Sequence, residues 1–157
     1  DIITGVIERE GGFVKDELDM GGRTDKGISE RSHPEAWSDG KVTEAEARAI
    51  YEAKYVVHPG YHRIPVSHPS TQSQLIDWGV NSGPMVATAA LQTIVGTKPD
   101  GNLGPKTLTA LLAIDDRSLS NLLAAARIRM FGRIVKRNPT QLKFLQGWLE
   151  RSLQWVK

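Results

Sequence analysis

The sequence predicts a mainly α fold of the α+β kind, a helical domain carrying a small β-hairpin lobe. Three observations lead there. Apolar residues recur at helical spacing through most of the chain, beginning with Ile2, Ile3, Val6 and Ile7. Residues 13–29 break that pattern, because Gly21-Gly22 and Asp25-Lys26-Gly27 sit between short alternating segments, which favours a hairpin over a helix. The connections are short, without a flexible linker, an internal repeat or a low-complexity stretch, so one compact unit over residues 1–157 is expected.

The elements follow in chain order. Gly11-Gly12 ends the first helix, and Thr43-x-x-Glu46 is a capping box that opens a helix running to about Tyr55. Residues 56–69 hold three prolines and three histidines and read as a surface loop. A helix over residues 71–80 is broken by Asn81-Ser82-Gly83, and Pro84 suits the first turn of the next, which runs to Gly96. Gly104-Pro105 opens another helix, and 118–137 forms a long one with Leu119, Leu122, Leu123 and Met130 on its apolar side. Asn138-Pro139 precedes a last helix rich in large apolar residues: Leu142, Leu145, Trp148, Leu149 and Leu153. Residues 1–69 thus form a first lobe and residues 70–157 a helical half.

Composition excludes several function classes. With 157 residues, 39% hydrophobic and 24% charged, the chain has the means for one real core. It has no cysteine, so disulfides do not hold it. His33, His58, His62 and His68 lack a ligand spacing, so no metal site and no cofactor is expected. No apolar run is long enough to span a bilayer, and the start Asp1-Ile2-Ile3-Thr4-Gly5 shows no secretory signal. The charge is unevenly spread. Residues 1–55 hold 13 acidic and 8 basic side chains, a balance of −5, whereas residues 117–157 hold nine basic side chains against Glu150 alone, a balance of +8. A polyanionic partner or a solvated basic helical face would each account for that split. Nucleic acid is not expected, since the basic region lacks spaced aromatic residues or a recognised motif.

One constellation carries chemistry. Glu10 stands at the last turn of the first predicted helix, before two glycines that let the chain turn and leave the carboxylate at the lip of a cleft. Partial desolvation there would keep it protonated near neutral pH, as a general acid for a glycosidic oxygen requires. Asp19 and Thr24 follow in the predicted hairpin, on a segment able to fold back beside the helix end. Cleavage of a glycosidic bond needs an acid on one side and a base or nucleophile on the other, and such a hairpin could supply the second group.

The pattern Glu10-Gly11-Gly12-Phe13-Val14-x-Asp16, then Gly21-Gly22-x-Thr24-x-x-Gly27-Ile28-Ser29, resembles the N-terminal signature of phage and bacterial N-acetylmuramidases of glycoside hydrolase family 108. Phe13, Asp25 and Ser29 stand where that signature has Tyr, Asn and Thr. Asp25 therefore adds a carboxylate in place of an amide, and rivals Asp19 for the second catalytic role as well as being a substrate contact. The Glu10, Asp19, Thr24 spacing is also similar to that of phage lysozymes, one residue short between the Asp and the Thr. By that likeness Glu10 is the general acid, and Asp19 or Thr24 holds the attacking water.

The resemblance extends over almost the whole chain. Ala87-x-x-x-Leu91-Gln92-x-x-x-Gly96 and Asp100-Gly101-x-x-Gly104-x-x-Thr107 are similar to the helix–loop–helix element of peptidoglycan-binding segments. Asp77-x-x-Val80-Asn81-Ser82-Gly83 and Gly147-Trp148-x-x-Arg151 resemble further family segments. Asn81 could bond a sugar N-acetyl group or simply cap a helix, and Trp78 could stack on a sugar face or sit in the core. The resemblance implies a lysozyme-like fold and a monomeric muramidase acting on peptidoglycan glycan strands without stable membrane insertion. It further implies a protein made in the cytoplasm that acts in the periplasm or cell wall, as a phage endolysin does. Lytic transglycosylase, chitinase and non-catalytic cell-wall binding module are the competing readings.

Overall fold

The computed structural model describes the backbone of residues 2–10, 14–15 and 23–157, and the side chains of residues 2–8 and 23–157. Asp19, with Gly11, Gly12, Phe13, Asp16 and Gly21-Gly22 of the motif, lies outside the described residues. The described chain is mainly α with one small antiparallel sheet, as the sequence predicts. Its order is α1 (Ile2–Glu10), β1 (Val14–Lys15), β2 (Arg23–Asp25), β3 (Ile28–Ser29), α2 (Glu44–Glu52), α3 (Pro69–Ser82), α4 (Pro84–Ile94), α5 (Pro105–Leu111), α6 (Asp116–Arg137) and α7 (Leu142–Leu153). The sheet has the order β1-β2-β3, so the hairpin gains a third short strand. The chain divides into two compact units at Asp1–His58 and Pro59–Lys157, eleven residues before the lobe boundary expected from sequence. Among the described residues no helix is long and apolar enough to cross a membrane.

In the first unit, Ile3, Val6 and Ile7 of α1 are buried, as are Ala47 and Tyr51 of α2, together with Ile28, Trp37 and Val42. The capping box forms as predicted: the Glu46 amide donates to Thr43 Oγ1 at 3.2 Å, and the Thr43 amide donates to Glu46 Oε2 at 2.8 Å. The helix then widens into a π-helical turn, Ala53–Val57, beyond its α-helical end at Glu52.

The second unit is built around α3, against which α4 and α6 both pack. Six consecutive residues of α3, 74–79, are buried, which is what a helix enclosed by others requires. Leu75, Ile76 and Trp78 meet a core that includes Leu91, Leu111, Leu119, Leu123 and Phe131. The α3 amino terminus is capped from a distance: the Ser70 and Thr71 amides donate to the Asp116 carboxylate at 3.0 and 2.8 Å. Burial opposes ionisation of that carboxyl, yet these bonds hold it below the usual range.

Residues 56–69 are not a surface loop throughout. Tyr61, Ile64 and His68 are buried, and Tyr61–Arg63 form a 3₁₀ turn. The Tyr61 hydroxyl donates to the Pro84 carbonyl at 3.0 Å and pairs with Thr88 Oγ1 at 2.9 Å. Burial pushes its pKa to about 12. Proline and histidine signalled a loop, but two large side chains within it had core to fill.

Asp77 organises the unit. It is fully buried, and it accepts from Arg127 Nη1 of α6 at 2.7 Å and from Arg151 of α7 at 3.0–3.2 Å through Nε and Nη2. Arg127 is also fully buried, with its guanidinium 5.8 Å from the ring centres of both Trp78 and Phe131. Trp148 of α7 stacks on Phe131 at 4.9 Å, alongside Phe144 at 5.9 Å. Burial alone would raise the Asp77 carboxyl, but the bonds from Arg151 and Arg127 outweigh it and leave it lowered.

Removing Asp77 strands two guanidiniums, so Asp77→Ala is expected to cost about 3–5 kcal/mol in urea denaturation at neutral pH. Because its folded pKa is depressed, its contribution is complete above the unfolded value near ~3.9 and fades as pH falls through the lower folded value. The stability gap between wild type and Asp77→Asn should therefore narrow below about pH 4, and a gap independent of pH would contradict the assignment.

Candidate active site

Of the catalytic candidates, Glu10 falls on α1 and Thr24 on β2. Glu10 is the last residue of α1, and Val14 of β1, four residues on, is the Cα partner of Thr24 in β2. Four residues span at most about 14 Å, so the helix end and the middle strand are near neighbours through the chain itself. The Glu10 carboxylate, like Asp19, is not among the described side chains. Thr24 is half-buried and pairs with Ser29 of β3 on its other side.

The hairpin turn is anchored by its own chemistry. Lys26 and Gly27 both take positive φ, 49° and 74°, which is the two-residue turn that matches the twist of the strands. Glycine adopts this readily, whereas lysine needs support. Lys26 Nζ donates to the Val42 carbonyl at 2.7 Å and to Asp25 Oδ2 at 3.0 Å, and its own carbonyl accepts from the Tyr51 hydroxyl at 3.1 Å. Asp25 is buried at 6% exposure and also accepts the Val42 amide at 3.4 Å. The carboxylate that replaces the family's amide therefore ties the turn to the chain entering α2. Two residues before Asp25 in the same strand, Arg23 makes a two-bonded pair with Glu30 at 2.6 and 2.9 Å and lies 5.0 Å over the Trp37 ring.

A groove runs beside the hairpin. A cavity of about 70 Å³ is bordered by Ser29, Ser32, His33, Lys54 and Tyr55, and an open depression of about 680 Å³ continues it past Glu35 and Ala49. Tyr55 stacks on Tyr51 at 5.7 Å, with Lys54 Nζ 5.3 Å from the Tyr55 ring centre. Tyr51, Lys54 and Tyr55 were not singled out as site residues in the sequence. Their one signal was the adjacency of Tyr51 and Tyr55 on one helical face, four residues apart.

The substrate-binding candidates of the second unit behave differently from each other. Asn81 is exposed, and its Oδ1 accepts from Arg127 Nη2 at 3.4 Å and from the Ser82 hydroxyl at 3.2 Å. Trp78 is 1% exposed, which puts its ring beneath the surface, beside Arg127. The Asp-Gly element is wired to Gln92. The Gln92 Nε2 donates to Asp100 Oδ1 and to the Asn102 carbonyl, both at 2.9 Å, and its Oε1 accepts the Gly101 amide at 2.8 Å. Gly101 has φ 77°, and a Cβ there would lie 3.1 Å from the Met85 carbonyl oxygen, so the turn suits glycine on two counts.

Residues 3–83 match the family described as Glycosyl hydrolase 108, and residues 86–153 match the one described as Predicted Peptidoglycan domain. A solved structure titled "Structure of Brucella abortus SagA" superposes with a TM-score of 0.72 at 30% sequence identity, covering 98% of this chain and 88% of that one. No curated protein sequence matches the chain. The first match runs past the division at His58 and takes in α3 through the Asp77–Gly83 motif.

The Asp25 geometry makes a stability prediction. Asp25→Asn keeps an acceptor for the Val42 amide and should stay within about 1 kcal/mol of wild type. Asp25→Ala leaves that amide without its acceptor and removes one of the two Lys26 ammonium bonds, and should lose about 1–3 kcal/mol, read by thermal or urea denaturation.

Proposed function

Because the chain belongs to the glycosyl hydrolase 108 family, we propose that it cuts the β-1,4 bond between N-acetylmuramic acid and N-acetylglucosamine, with Glu10 as general acid. The family and the peptidoglycan domain together indicate a glycoside hydrolase that acts on peptidoglycan. The observation that carries the finer reading is the position of Glu10, the final residue of α1 and four residues before the strand that pairs with Thr24. Backbone carbonyls at a helix carboxyl end carry partial negative charge, which disfavours an ionised carboxylate and so favours the protonated acid.

In this mechanism Glu10 gives its proton to the glycosidic oxygen as the C–O bond breaks and positive charge builds on the anomeric carbon. Water then attacks that carbon. Asp19 could both orient the water and take its proton, whereas the Thr24 hydroxyl could only orient it. Asp25, held by Lys26 and the Val42 amide, supports the hairpin that carries Thr24. With the Asn81 Oδ1 held by Arg127 and Ser82, its Nδ2 hydrogens remain to donate to a sugar N-acetyl carbonyl. Trp78 serves by packing on Arg127 beneath Asn81 rather than by stacking on a sugar. The chemistry calls for no metal or cofactor, and a monomer acting on wall glycan strands in the periplasm or cell wall, in the manner of an endolysin, suffices.

Glu10→Gln is expected to slow release of muropeptides from purified peptidoglycan by roughly 10²–10⁴-fold while leaving binding to the walls intact. Mass spectrometry should find hydrated reducing ends. Undiminished lysis by the variant would end the general-acid assignment, and 1,6-anhydro ends would make the enzyme a lytic transglycosylase. Asp19→Asn and Thr24→Val separate the second role. Loss of the low-pH limb of the kcat profile in Asp19→Asn alone assigns the base to Asp19, and Asp25→Asn is expected to keep near-wild-type turnover.

A further inference from the structure

The second unit holds a concavity that the glycan chemistry does not use. It is a groove of about 410 Å³, within the range of small-ligand sites, lined by α3, α4 and α6. Trp78, Ala89, Ala90 and Met130 contribute apolar lining, and the alanines leave unfilled the space that larger residues would close. Arg129 and Arg133 line the same groove from consecutive turns of α6.

These two arginines differ from the others in the region. Arg127 and Arg151 are committed to Asp77, whereas Arg129 and Arg133 are exposed and have no carboxylate partner among the described residues. Like charges four residues apart on a helix repel by a few tenths of a kcal/mol, so the arrangement gives the isolated helix no benefit. Their Cβ atoms stand about 5–6 Å apart on one face, a spacing that suits two carboxylates on one short ligand. A fatty acid has one carboxylate and a long chain. A peptidoglycan stem peptide has small methyl side chains and at least two carboxylates, on its γ-linked glutamate and its terminal residue.

We propose that the groove between α4 and α6 binds the peptide stems of peptidoglycan, with Arg129 and Arg133 pairing with stem carboxylates and the alanine–methionine floor receiving alanine methyl groups. This rests on the reading of the chain as a peptidoglycan hydrolase, and it deepens that reading. The peptidoglycan domain would hold the wall by its peptides while the first unit cuts sugar, so peptide-bearing glycan is favoured over naked glycan.

The test is calorimetric titration of the free tetrapeptide L-Ala-γ-D-Glu-meso-diaminopimelate-D-Ala into the full chain, with laurate titrated in parallel. Arg129→Ala/Arg133→Ala should weaken tetrapeptide binding by about tenfold or more, equivalent to ~1.4 kcal/mol, with an unchanged melting temperature. The same variant should raise KM on peptide-bearing walls at unchanged kcat, and leave cleavage of peptide-stripped glycan strands as it was. Glu10→Gln should bind the tetrapeptide as wild type does, which separates this site from the catalytic assignment. Absence of tetrapeptide binding by wild type, equal affinity in the double arginine variant, or tighter binding of laurate would each overturn the proposal.

Discussion

Asp77 between Arg127 and Arg151 is the constraint on which the second unit depends, because a fully buried carboxylate is tolerable only where cations reach it. Arg127 comes from α6 and Arg151 from α7, so one ion cluster on α3 dictates how two further helices lie. Those helices in turn bring Phe131 and Trp148 together, and Arg127 orients Asn81 at the end of α3. Two family motifs, Asp77–Gly83 and Gly147–Arg151, are far apart in the chain yet are halves of this one contact. A cluster of two guanidiniums and one carboxylate is also an exacting choice for a core.

The first unit uses a smaller version of the same logic. Lys26 occupies a left-handed backbone position that lysine does not favour, and its ammonium's bonds to Asp25 and the Val42 carbonyl, with the Tyr51 hydroxyl's bond to its own carbonyl, keep it there. That strained turn sets where β2, and so Thr24, stands relative to α2. The unusual acidic residue of the signature is thereby explained as the partner of an unusual turn residue. Carboxylate chemistry made Asp25 a candidate for catalysis, and in the folded chain that carboxylate is bonded to the Lys26 ammonium and the Val42 amide.

Basic charge in the last 41 residues illustrates how much a sequence count conceals. An excess of +8 reads as a single polycationic face, but the arginines divide by burial and by partner. Arg127 and Arg151 are consumed in the core, while Arg129 and Arg133 remain beside an apolar groove. Neighbouring positions on one helix thus have opposite fates, because residues 127 and 129 point about 200° apart around the axis.

Several features were legible from sequence because their physics is local. The Thr43–Glu46 capping box, the Asp25-Lys26-Gly27 turn, the prolines that open α4 and α5, and the end of α1 at Glu10 all depend on residues within a few positions of one another. The mainly helical class with its small sheet followed from periodicity, and the family followed from motif order. What only the tertiary structure decided involves partners that periodicity cannot name. Asp116 caps a helix 46 residues before it, Tyr61 and Ile64 turn a proline-rich loop into core, and Asp77 meets arginines 50 and 74 residues away. A carboxylate in a sequence declares its charge; which cation, amide or sugar it serves depends on the distance and desolvation that folding creates.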